Sequence, residues 1–114
     1  MKIEVRGLGF TVKDELREQV ERRFHFALSR RSDAITHLTV KLFDENGPKG
    51  GVDKGCKAEL SLKGHPPIVV EAKEADLLAA VARAADRAAR ALGRELDRAA
   101  TFDPLAADIP LEPR

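Results

Sequence analysis

Between Thr36 and Ala72 the apolar side chains fall largely on alternate positions, whereas on both sides of that stretch they recur at helical spacing. This change of period restricts the chain to a few arrangements of helices packed on a sheet. Thr36, Leu38, Val40 and Leu42 share one face of a strand, and Ile35, His37, Thr39, Lys41 and Phe43 share the other. Cys56, Ala58, Leu60 and Leu62 alternate in the same way with Lys57, Glu59, Ser61 and Lys63. Gly-His-Pro-Pro at 64–67 reads as a turn leading into a further strand over 68–72. Upstream, Ile3 and Val5 oppose Lys2, Glu4 and Arg6 in a short strand over 1–7.

Thr11 is placed to cap a first helix, with Asp14 three residues on, and Val12, Leu16, Val20, Phe24 and Ala27 carry the helical spacing to about Arg30. Ser32 and Asp33 break that pattern. Asp76 or Glu74 opens a second helix that runs to about Ala100, with Gly93 inside it at a cost on the order of 1 kcal/mol relative to alanine. The order is β-α-β-β-β-α. Each strand has one apolar face, so the expectation is an α+β fold in which a four-stranded, mainly antiparallel sheet carries both helices on one face. Residues 44–54 hold three glycines and a proline and read as a long connection, and 101–114, with Pro104, Pro110 and Pro113 among acidic residues, as a flexible tail. With 114 residues and 43% apolar content, one domain over 1–100 is expected.

The charge is close to balanced, 20 basic against 19 acidic side chains, which argues against a generic polycation. It is unevenly spread: residues 1–100 hold 19 basic and 16 acidic groups, net +3, and 101–114 hold one basic and three acidic, net −2. No signal-peptide pattern opens the chain, no 18-residue apolar run exists, and Cys56 is alone, so a cytoplasmic protein without a membrane partner is expected.

Arg83, Arg87, Arg90, Arg94 and Arg98 follow steps of four, three, four and four, which gathers five guanidinium groups into one stripe of the second helix. Leu77, Val81, Ala84, Ala88, Ala91, Leu92 and Ala99 form a separate stripe roughly 120° around the helix. Arginine suits a phosphate partner because its planar fork stays charged and donates two parallel hydrogen bonds. Spacing alone favours a simpler reading, a solvated face internally paired through Asp86 and Asp97.

Catalytic patterns are weak. His25, His37 and His65 have no zinc-site spacing, and the glycine-rich segment at 47–51 lacks the Gly-Lys-Ser/Thr ending of a phosphate-binding loop. Cys56, with Asp53 and His37, is conceivable as a nucleophile set, but Cys56 alternates with the strand's apolar residues, where a small thiol packs well. No enzymatic activity, cofactor, metal or small-molecule substrate is expected.

Leu16-Arg17, the strand meander, and Asp76-Leu77-Leu78-Ala79-Ala80-Val81 leading into Asp86-Arg87-Ala88-Ala89-Arg90 together resemble the ribosome hibernation promoting factor family, also described as sigma-54 modulation proteins, over about residues 1–100. Gly47-Pro48-Lys49-Gly50-Gly51-Val52-Asp53-Lys54 resembles loops of some short, single-domain members, whereas Leu78 stands where an aromatic is usual and Ala82 where aspartate is usual. The resemblance implies a double-stranded-RNA-binding-like fold and a ribosome-associated translation regulator, docked in the mRNA and tRNA channel of the small subunit and holding ribosomes inactive under stress. It implies rRNA contacts at Arg87, Arg90, Arg94, Arg98 and Arg17, and less firmly at Arg83. Lys2, Arg6, Lys41, Lys57 and Lys73 on the sheet would add phosphate pairs. The implied partner is small-subunit rRNA, with no DNA, and a monomer when free. A general structured-RNA binder and a protein-interaction module remain the alternatives.

Overall fold

The computed structural model describes residues 1–44 and 54–101. Seven elements follow in order: β1 (Lys2–Leu8), α1 (Asp14–Leu28), a 3₁₀ segment (Ser29–Ala34), β2 (Ile35–Asp44), β3 (Lys54–Leu62), β4 (His65–Glu74) and α2 (Leu77–Thr101). The expected order is therefore met. The glycine-rich connection over 45–53 and the tail from residue 102 onward lie outside the described residues.

The sheet is mixed and ordered β1-β2-β3-β4. β2–β3 and β3–β4 are antiparallel, and β1 runs parallel to β2 with Val5 opposite Val40. The crossover through α1 makes that parallel pairing possible, since parallel neighbours need a connection long enough to hold a helix. Strand periodicity then sends Val5, Leu38, Val40, Leu42, Ala58 and Leu60 to one face, all buried. Val20, Phe24 and Leu28 of α1 close over them, each at most 1% exposed. α2 packs on β3 and β4 and against α1.

α2 meets this core with small side chains. Ala80, Ala84, Ala85 and Ala88 are fully buried, with Val81 and Leu92 beside them. Alanine brings the helix axis close to the sheet. The buried stripe matches the expected one at Val81, Ala84, Ala88 and Leu92; Ala80 and Ala85 join it, while Leu77 and Ala91 are only half-buried.

Three local expectations are corrected. Thr11 does not cap α1: the N-cap is Lys13 and no side chain bonds the free amides there. The Asp14 and Glu15 carboxylates in the first turn instead supply negative charge where the helix dipole favours it. On β2, Ile35 is buried and Thr36 is not, because the register shifts between Ile35 and His37. That bulge reverses the alternation, and Thr36 Oγ1 donates to the Ser61 carbonyl at 3.1 Å. Finally, the turn before β4 is Lys63–Gly64, with Gly64 at φ +73°, a conformation glycine adopts without steric penalty. Pro66 and Pro67 belong to the strand itself. β4 is an edge strand, where a residue lacking an amide donor is tolerated.

Candidate nucleic-acid interface

The five arginines of α2 are all exposed. They lie along the β4 edge of the sheet and differ in how they are held. Arg83 Nε pairs with Glu74 Oε2 at 2.9 Å, and Arg87 Nη1 donates to the Glu71 carbonyl of β4 at 2.6 Å. Arg90 pairs with Asp86 at 2.9 Å, and Arg98 with Glu95. Arg94 has no hydrogen bond or ion pair among the described residues. Arg87, Arg90 and Arg94 line an open cleft with Val70 and Glu71 of β4.

The simpler, internally paired reading of the stripe is thus met in part. Asp86 neutralises Arg90 as expected, but Asp97 is drawn off by Arg31 at 3.0 Å, whose Nη1 also reaches the Gly93 carbonyl. Five arginines then face Glu74, Asp86 and Glu95, a local excess of two positive charges. Exposed pairs of this kind are worth about 0.2–1 kcal/mol each, less than a charge-assisted, bidentate arginine–phosphate contact offers. The guanidinium groups can therefore exchange carboxylate for phosphate at small cost.

Arg17 has a different setting. It is half-buried, and its Nη1 donates to the Val5 carbonyl at 2.9 Å. Val5 lies on β1, so each edge strand has a helix arginine on one of its backbone carbonyls, Arg17 on β1 and Arg87 on β4. Such contacts help shield an edge from pairing with another chain.

The open face of the sheet is ordered by register. Arg6, Lys41 and Lys57 are cross-strand neighbours on three strands, ending at Glu71 on β4. The adjoining row runs Glu4, Thr39, Glu59, Val69. Acidic side chains of that row reach the basic ones: Arg6 pairs with Glu4 at 2.8 Å, and Glu59 is shared by Lys41 at 3.3 Å and Lys57 at 3.9 Å. Lys2 is exposed at the end of β1, and the Lys73 ammonium lies 6.0 Å from the Phe43 ring centre. Phe43 lies flat over Gly55, where any added Cβ would meet ring carbons at 2.2 and 2.3 Å. The ring is therefore packed against β3 on the open face, near the ends of the two central strands. The sheet's five basic groups share Glu4, Glu59 and Glu71, an excess of two like that of the α2 stripe; the stripe differs in presenting Arg94 without a partner among the described residues.

Cys56 is fully buried among core residues, and burial pushes its thiol up to about 12. It faces the opposite side of the sheet from exposed His37, so these two do not meet as nucleophile and base. Among the described residues no group of three or more His, Cys, Asp and Glu is placed to hold a metal ion, and no helix is long and apolar enough to cross a membrane.

The model of the sigma 54 modulation protein / S30EA ribosomal protein family matches residues 3–100. The chain belongs to that family. Two solved structures have the same fold. The ribosomal subunit interface protein from Coxiella burnetii superposes with a TM-score of 0.69 at 22% identity, covering 82% of this chain and 96% of that one. The N-terminal domain of Protein Y from Thermus thermophilus gives 0.67 at 26% identity, covering 82% and 98%. Comparison with curated proteins gives no match. The family's matched span covers α1, β2, β3 and β4 entirely, β1 and α2 but for one terminal residue each, and ten of the eleven basic residues singled out from the sequence; Lys2 precedes it by one position.

Proposed function

We propose that this protein binds the small ribosomal subunit through rRNA phosphates, occupies the channel used by mRNA and tRNA, and thereby holds ribosomes inactive. The observation that carries the reading is the exposed Arg87, Arg90 and Arg94 cluster beside β4, in a chain whose family is named for a ribosomal protein. Arginines on a rigid helix fix register and orientation against a phosphate backbone without reading sequence. The activity is occupancy: a body of this kind blocks ligands by filling space, and no bond is made or broken. With a net charge of only +1, counterion release adds less than it does for a strongly basic protein, so shape fit supports much of the affinity. The domain acts as a monomer over residues 1–100, in the cytoplasm, without cofactor or catalysis.

The combined Arg87→Glu, Arg90→Glu, Arg94→Glu variant tests the site. These side chains are exposed and outside the core, so the variant folds. It is expected to lose small-subunit binding, and single Arg→Ala changes to flatten the slope of log affinity against log salt by about 0.7–0.9 per lost phosphate contact. Full binding by the folded triple variant rules the stripe out as the docking surface.

A further inference from the structure

Phe26 is the most exposed large apolar side chain among the described residues, at 74%. It lies on α1, two positions from fully buried Phe24, so it points away from the core. At 100° per residue Gln19, Arg22, Arg23 and Phe26 share an arc of about 100° on the solvent side, and they line one shallow depression. The Arg23 guanidinium lies 5.9 Å from the ring centre, a cation–π distance. Since three-quarters of the residue is still exposed, the ring has a free face. Arg23 has no ion pair among the described residues, and Arg22 holds only a 3.4 Å contact with Glu18 in which both side chains are more than 70% exposed.

An aromatic ring between arginines matches one class of partner better than another. A protein's apolar side chain would cover the ring but leave two guanidinium groups to be desolvated or paired separately. A nucleotide supplies both needs at once, a π-face for the ring and an adjoining phosphate for the arginines. On the sheet the Phe43 ring lies over Gly55 with the Lys73 ammonium 6.0 Å from its centre, and it is less exposed than Phe26. Duplex RNA cannot use the Phe26 face, because its bases are already stacked.

We propose that the Phe26 face of α1 is a second RNA contact, where one unpaired base stacks on the Phe26 ring and its flanking phosphates are held by Arg22 and Arg23. This rests on the ribosome-binding reading and specifies single-stranded rRNA, a loop or bulge, as what this face meets. Stacking is indifferent to base identity, so the contact adds affinity and fixes orientation without reading sequence.

The chain contains no Trp and no Tyr, so Phe26→Trp installs a single reporter in a flat, stacking-competent ring. The full chain carrying that change, the Phe26→Ala variant and the unchanged chain are titrated with purified small subunits. The expected result is tryptophan quenching on binding, near-unchanged affinity for Phe26→Trp, and a loss of about 5- to 150-fold for Phe26→Ala, the range for removing one stacked base. Binding by all three with equal affinity and no quenching overturns the inference while leaving the ribosome reading intact. A blue shift without quenching overturns it in favour of a protein contact at this face. Absence of subunit binding by the unchanged chain overturns both.

Discussion

Ala88→Leu should be among the most damaging single apolar changes in this domain. Ala88 is fully buried where α2 crosses the sheet, in a row with Ala80, Ala84 and Ala85 that are buried to the same degree. Leucine adds three carbons in a space already filled by core side chains, so either the new side chain leaves its preferred rotamer or α2 moves outward. Movement would separate Val81 and Leu92 from their neighbours as well. Overpacking of this kind costs about 1–3 kcal/mol. For roughly 100 ordered residues an unfolding entropy near 2.1 cal/mol/K per residue gives about 5 °C per kcal/mol, hence a fall in Tm of about 5–15 °C. Ala79→Leu, on the exposed side of the same helix, is the control and should stay within about 0.5 kcal/mol, or 2–3 °C. Thermal unfolding followed by circular dichroism measures both. If Ala88→Leu melts within 2 °C of the unchanged chain, α2 does not sit on the sheet at alanine distance, and the placement of the arginine stripe beside β4 loses its basis.

Two further perturbations probe the interior and α2. The Cys56 thiol should resist a disulfide reagent at pH 8 in the folded chain and react at once in denaturant, since burial pushes its pKa up to about 12 from 9.0. Above pH 9 the unfolded chain then releases this proton and the folded chain keeps it, so stability falls as pH rises from about 9 toward 12; denaturant midpoints of the chain and of Cys56→Ala should diverge over that window, and parallel curves would contradict the assignment. Gly93→Ala should raise stability by about 1 kcal/mol, because an added Cβ meets nothing within 4 Å and helical glycine is costly; a lower Tm would show that the glycine is required for packing against Arg31.

The parts of this fold that depend on period were legible in the sequence. Leu38, Val40 and Leu42 alternate into the core as their spacing requires, and Val81, Ala84, Ala88 and Leu92 form the helical stripe. What depends on a partner far along the chain was not. The bulge that turns Ile35 inward is made against Ser61, and the pairing of β1 with β2 needs a neighbour brought by α1. Pro66 and Pro67 read as a turn because their missing amides exclude an interior strand, whereas an edge position accepts them. The same distinction applies to the site. The arginine stripe follows from spacing within one helix, but its electrostatics are set by Glu74 and the Glu71 carbonyl from β4, and by Arg31 withdrawing Asp97. Arg17 carried no local sign of its bond to Val5, twelve residues away. Phe26 was visible only as one of two phenylalanines flanking His25, and its exposure beside Arg23 emerges from the direction of α1.

Occupancy of the small subunit is measured by co-sedimentation of the full chain with purified subunits over a salt series, with duplex RNA as competitor. Saturable pelleting is expected at about one chain per subunit, weakening with salt and unaffected by excess duplex. Displacement by any duplex, or no pelleting at low salt, would contradict it: the first result marks a general RNA binder, the second a protein partner.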